Sequence, residues 1–202
     1  MAFTLPSPWE IRRELPNLSG RIVVFDLEIT TWPGTAARFW SGDGEDPEIV
    51  QIGAVALDAD DDLKEVGTFE RLVRPAFHPI LSDYFTELTG ITQAIVDQNG
   101  NPFELVLDEF VSFCKNATAI LSNGEDAHVL DINCHMHKRT LPLGRELFID
   151  LSAWFIKVAN NGGPRINSSN LLKHLSLPDT MAAHDALADA RRVARSLAYL
   201  TS

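Results

Sequence analysis

Two carboxylates, Asp26 and Glu28, close the apolar run Arg21-Ile22-Val23-Val24-Phe25-Asp26-Leu27-Glu28. On a β-strand successive side chains alternate faces, so these acids share one face at a separation of roughly 7 Å. At an effective dielectric of about 20, two ionised groups that far apart repel by about 2 kcal/mol. A divalent cation relieves the conflict, and hard oxygen ligands suit Mg²⁺ or Mn²⁺. The plainer alternative is a strand that ends at Phe25 and leaves both acids solvated in the next loop. The Asp-x-Glu tripeptide alone does not decide between them.

Further groups could join the pair. Asp126 opens a helix after the small-residue loop Ser122-Asn123-Gly124, and Asp189 lies in the last helix, five residues after His184. Five residues rotate a helix by about 140°, so His184 and Asp189 cannot share a face if both are helical. His184 therefore belongs at the helix entrance, leaning over the site. Asp185 reads as an acid near the positive end of that helix, and Asp150 has the same reading at the start of the helix near Leu151. His128, His135 and His137 fall on one helix with no Cys or carboxylate arrangement to complete a zinc site, and are expected at the surface. Each residue taken singly has an ordinary reading as a cap or a solvated helix position.

The elements that must position these groups are legible from periodicity. Unbroken Ile, Val and Phe on both faces of residues 21–28 indicate a strand covered on both sides. Glu48 to Leu57 and Glu65 to Arg74 form the next two strands, with the acidic turn Asp58-Ala59-Asp60-Asp61-Asp62 between them. Short helices follow at Leu81 to Leu88, closed by Gly90, and at Thr92 to Val96. Asn101-Pro102-Phe103-Glu104 reads as a capped start for a helix running to Cys114. Then come a strand (Ala117 to Ser122), a helix (Asp126 to Lys138), a strand (Glu146 to Asp150), a helix from near Leu151, a short helix capped by Ser168 or Ser169, and a last helix from about Ala183 to Leu200. A three-strand meander followed by strand and helix alternation predicts a mixed five-stranded α/β sheet with helices on both faces. Ligands in such sheets gather at strand ends.

Composition limits the function classes. The chain has 202 residues, 45% hydrophobic and 22% charged, with a net charge of −11. It reads as a peripheral arm over residues 1–20 and a single domain over 21–202. The charge weighs against coating long nucleic acid, although handling one end remains compatible. No apolar run reaches the length of a membrane span, and residues 1–20 lack the apolar centre of a signal peptide, so a cytoplasmic location without membrane partners is expected. Cys114 and Cys134 indicate neither a disulfide framework nor a zinc site. Arg38-Phe39-Trp40, in the loop after the first strand, could meet a base or phosphate, or simply pack that loop down.

In order, Asp26-Leu27-Glu28, Asp126 and His184-x-x-x-x-Asp189 resemble the three motifs of the DEDDh 3′→5′ exonucleases, a ribonuclease H-like superfamily that includes ribonuclease T and the proofreading subunit of bacterial DNA polymerase. Glu48 to Val55 is similar to that family's second strand, and Leu81 to Thr92 to the segment after its third. The branch most similar is that of the three-prime histone mRNA exonuclease and its bacterial relatives. Glu125 stands where the family usually has an aromatic residue before the motif-two Asp, which makes Asp131 the alternative to Asp126. The resemblance implies that Asp26, Glu28, Asp126 and Asp189 hold two Mg²⁺ or Mn²⁺ ions, with His184 as general base. It further implies that Ile29 and Thr30 grip the terminal sugar, and that Tyr84, Phe85 or Leu88 stacks on the last bases of a single-stranded 3′ end. The expected activity is release of 5′-mononucleotides from RNA ahead of DNA. A non-catalytic adaptor and a polymerase's proofreading partner are the alternatives.

Overall fold

The computed structural model describes residues 14–202. Of the arm expected over residues 1–20, the first thirteen, with Trp9 to Arg13, lie outside the described residues. Leu15 and Leu18 pack against one of the apolar layers.

Five strands form one sheet in the order β3-β2-β1-β4-β5. These are β1 (Arg21–Ile29), β2 (Ile49–Asp58), β3 (Lys64–Leu72), β4 (Ala119–Ser122) and β5 (Phe148–Asp150). The first three make an antiparallel meander, and β4 and β5 add in parallel to β1, so the mixed sheet read from the sequence is borne out. The helices are α1 (Asp83–Thr89), α2 (Gln93–Asn99), α3 (Phe103–Phe113), α4 (Asp126–Met136), α5 (Ser152–Ala159), α6 (Leu171–His174) and α7 (Ala186–Thr201).

β1 is the axis of the molecule because it is buried on both faces. Val23, Phe25 and Leu27 enter a layer with Val106, Leu107 and Phe110 of α3 and Leu130 of α4. Ile22 and Val24 enter the opposite layer, with Phe155 of α5, Leu171 of α6 and Val193 and Leu197 of α7. The alternation that sends Ile22 and Val24 to the α7 side sends Asp26 and Glu28 there too. One face of a single strand is therefore apolar at its start and acidic at its end.

Several starts differ from the sequence reading; the short helix expected to be capped by Ser168 or Ser169 begins at Leu171, after a 3-10 turn that contains both serines. Asn101 does not cap α3 with its side chain; its backbone joins the sheet margin, accepting from the Arg74 amide at 2.8 Å and donating to Leu72 O at 3.0 Å. The last helix begins at Ala186 rather than near Ala183, because Asp185 is its cap and accepts the Ala188 amide at 2.8 Å. His184 thus stands before the helix, as the spacing argument requires.

The N-terminal turn of α7 sits on bare backbone. Gly53 of β2 pairs with Asp26, and a Cβ added there would lie 2.1 Å from Leu187 N and 2.2 Å from Ala186 C. No side chain fits that gap. Gly53→Ala should therefore lift the first turn of α7 and cost about 3 kcal/mol, in line with overpacking a filled core. Chemical denaturation checks this, and a loss below about 0.5 kcal/mol, the range of an ordinary surface change, would show that the helix does not rest there.

Candidate active site

Three segments meet at the acidic end of β1. Asp26 and Glu28 arrive from the strand, Asp126 from the first turn of α4, and Asp189 from the first turn of α7. Asp26, Glu28 and Asp189 are all buried, and Asp126 is half-buried. Ligand atoms of Glu28, His184 and Asp189 lie within 4.8 Å of one another, the one such group of three among the described residues. Asp26 and Asp126 stand beside it: Asp126 adds to the charge cost of Asp26 and Glu28, and Glu28 and Asp189 add to that of Asp26.

Electrostatics show how crowded this end is. Burial, then Asp189, Asp185 and Asp126, push the Glu28 carboxyl up to about 8. Burial, followed by Asp126, Asp189 and Glu28, raises Asp26 well above the usual carboxylate range, against a hydrogen bond from Ser168. Asp126 rises to about 6, mainly through burial, while Arg165 and the backbone of Asp126 and Leu27 oppose the shift. Burial also raises Asp189, with Arg192 opposing. Four oxygen-donor side chains, concentrated at the cost of their own ionisation, form with the His184 imidazole a donor set that fits hard divalent cations.

The frame that holds α7 here comes from β2. Gln51, opposite Glu28 in the strand register, accepts the Ala186 amide on Oε1 at 3.0 Å. Its Nε2 donates to Glu70 at 3.0 Å and to the capping Asp185 at 3.3 Å. On the far side Asn123 donates from Nδ2 to Ile166 O at 2.9 Å and Ser168 Oγ at 3.3 Å, drawing the segment before α6 against the site.

A family model for exonucleases, that of ribonuclease T, matches residues 23–197. The chain belongs to that family. ERI1 exoribonuclease 2 of Xenopus laevis is 37% identical over 92 residues, which is 46% of this chain and 12% of that protein. Rat 3′-5′ exoribonuclease 1 is 25% identical over 183 residues, covering 86% of this chain and 51% of the relative. This exonuclease-family chain thus spans only a fraction of these relatives' lengths. Among solved structures, the nuclease domain of 3′hExo, a DEDDh family member bound to rAMP, superposes with a TM-score of 0.72 at 24% identity, covering 91% of this chain and 92% of the other. The cell-death related nuclease 4 gives 0.75 at 19% identity, covering 91% and 64%. The fold of this domain is thereby the ribonuclease H-like exonuclease fold.

Several sequence-based assignments within the domain change. Asp131, the alternative to Asp126, is held on α4 by Arg145 at 3.3 Å, whereas Asp126 is the α4 acid that acts on Asp26 and Glu28. Phe85 is fully buried among Val50, Leu81, Ile91 and Val96, so it packs α1 down and is not available to a base. Tyr84 and Leu88 are exposed on the same helix. The Thr30 hydroxyl donates to Asp46 O at 2.6 Å and accepts from the Glu48 amide at 3.0 Å; it fastens the following loop instead of facing a sugar. Ile29 is half-buried at the strand end. Trp40 Nε1 donates to Thr30 O at 2.7 Å and Arg38 pairs with Glu45, so both tie the loop down, while Phe39 is exposed. His137 is not at the surface: its ring is buried beside Phe77 and Phe103, and Nδ1 lies 3.0 Å from Glu104.

Gln51, Ser168, Arg165 and Arg192 were not found from the sequence. Only Arg192 left a signal, standing three residues after Asp189 on one helix face. The others act through strand register or loop closure, which a linear spacing does not encode.

The raised carboxyl groups make stability depend on pH in a defined sense. Glu28 and Asp126 bind protons more tightly folded than unfolded, so their contribution is complete below about pH 4 and is lost as pH rises through about 6 and about 8. Metal-free protein should lose stability across that window. Saturating Mg²⁺ or Mn²⁺ should restore it at the alkaline end, by about 2.7 kcal/mol at a hundredfold excess over Kd. Thermal melts with and without chelator decide; identical melting temperatures at about pH 5 and pH 8, unmoved by either metal, would exclude a cation site.

Proposed function

We propose that this domain removes 5′-mononucleotides one at a time from single-stranded 3′ ends, RNA ahead of DNA, with two Mg²⁺ or Mn²⁺ ions held by Asp26, Glu28, Asp126 and Asp189. The observation that carries this reading is the convergence of acids from β1, α4 and α7 beside His184, in a chain matched by an exonuclease family model. Cations bound there supply water activation and stabilise charge on the leaving 3′ oxygen. His184 is the proton acceptor for the attacking water. It stands outside the helix in a left-handed backbone conformation, with φ at 53°, next to the acids yet half-exposed to an incoming strand.

In this reading the backbone at Glu28 and Ile29 grips the terminal sugar, without the Thr30 hydroxyl, which is engaged by Asp46 and Glu48. Tyr84 and Leu88, four residues apart, form one exposed stripe on α1, where the Tyr84 ring offers an aromatic face that accepts any base and Leu88 an apolar contact beside it. Net negative charge keeps recognition local to the strand end. RNA is favoured because ERI1 exoribonuclease 2 and 3′-5′ exoribonuclease 1 are relatives. The similarity to PolC-type DNA polymerase III of Streptococcus sanguinis, 32% over 129 residues, supports DNA proofreading as the second reading.

Digestion of 3′-end-labelled and 5′-end-labelled oligonucleotides tests the reading. Mononucleotide release should require Mg²⁺ or Mn²⁺ and run faster on RNA than on matching DNA. His184→Ala should reduce kcat by about 10²–10⁴-fold, the usual contribution of a general base. Tyr84→Ala and Leu88→Ala should raise KM and leave the fold intact, whereas Phe85→Ala should cost about 3–5 kcal/mol of stability. Undiminished digestion by Asp26→Asn or His184→Ala would defeat the mechanism.

A further inference from the structure

Arg192 is the largest fully buried side chain among the described residues. A buried guanidinium persists only when its charge and its donors are answered. Here the hydrogen bonds match the five N–H donors of the group. Nε donates to Asp179 Oδ2 at 2.7 Å and Nη2 to Asp179 Oδ1 at 3.2 Å. Nη2 also reaches Met181 O at 2.6 Å, while Nη1 divides between Ala182 O at 2.8 Å and Asp189 Oδ1 at 2.6 Å. One planar group therefore joins three things: the α7 helix, the Asp189 carboxylate, and the segment 179–182 that leads into His184.

We propose that Arg192 is a positioning residue, fixing the Asp189 carboxylate and the His184 segment in one arrangement so that cation holding and proton acceptance stay in register. The inference rests on the exonuclease reading, in which Asp189 binds a cation and His184 takes a proton. His184 lies between two anchors. Behind it Arg192 holds the carbonyls of Met181 and Ala182; ahead of it Asp185 caps α7 and is held by Gln51. The left-handed backbone of His184 bridges these anchors, so its ring position depends on both. A guanidinium that served only to staple segment 179–182 would need Asp179 and the two carbonyls alone. Sharing Nη1 between Ala182 O and Asp189 Oδ1 is what links that segment to the acid cluster. Outer hydrogen bonds of this kind orient ligands, and their loss commonly weakens metal affinity or activity by about 10–100-fold.

The test uses the full chain and three variants: Arg192→Ala, Arg192→Lys and Asp179→Asn. Two quantities are measured for each, namely kcat and KM on single-stranded RNA, and the Mn²⁺ binding midpoint in the absence of substrate by electron paramagnetic resonance of the free ion. Arg192→Ala should lower kcat by about 100-fold, change KM little, and weaken the Mn²⁺ midpoint by about tenfold. Added guanidinium should recover part of the lost kcat. Arg192→Lys can pair with Asp189 but cannot also hold both carbonyls, so Mn²⁺ binding should recover more than kcat. Asp179→Asn loosens only the His184 side, and should lower kcat while Mn²⁺ binding stays at the original value. Folded variants with kcat and Mn²⁺ midpoint equal to the original protein overturn the inference. If both Arg192 variants fail to fold, Asp179→Asn decides alone, and an unchanged kcat overturns it. An original protein that neither digests RNA nor binds Mn²⁺ overturns the exonuclease reading itself, and with it this inference.

Discussion

Repulsion among carboxylates concentrated at one end of β1 is the constraint that the rest of the molecule answers. Asp26 and Glu28 cannot separate, because the pleat puts them on one face. Asp126 and Asp189 are brought against them from helices whose apolar partners lie elsewhere. Burial raises the cost of ionising each group, and the neighbours raise it further. An arrangement of this kind is a crowded acid cluster whose donor set suits hard divalent cations.

What opposes the repulsion is apolar packing at a distance and close backbone approach nearby. The layer of Ile22, Val24, Phe155, Val193 and Leu197, on the same strand face as the acids, clamps α7 to the sheet. Closer in, Gly53 admits the first turn of α7 onto β2, and Gln51 bonds its first amide. Neither residue carries charge, so the helix can be drawn in without neutralising the acids. Arg192 does carry charge, but it is turned toward Asp179, Asp189 and two carbonyls, behind the cluster instead of within it.

The surface around the cluster divides labour between anchoring and display. Thr30, Trp40, Arg38 and Glu45 hold the loop after β1 down, and the Ser82 hydroxyl donates to Thr31 O, so the loop is tied to the cap of α1. Phe85 fastens α1 from beneath, which leaves Tyr84 and Leu88 facing outward. Neighbouring residues on one short helix thus have opposite roles, decided by which face meets the sheet. The same logic buries His137 between Phe77 and Phe103 while His135, two residues earlier, is exposed.

The sequence by itself determined the strand order of the meander and the two-faced burial of β1, and it pointed to His184 at the entrance of the last helix. These follow from periods of 2.0 and 3.6 residues, which are local properties of a chain. Only the tertiary structure carried β1 through both Asp26 and Glu28, set Asp126 beside them, buried Phe85, tied the Thr30 hydroxyl to Asp46 and Glu48, and revealed the contacts of Gln51, Ser168 and Arg192. Those outcomes depend on which helix face meets the sheet, on a strand register set by partners far along the chain, and on buried donors finding acceptors in another segment. No spacing along the chain encodes them, because each is a statement about two surfaces rather than one.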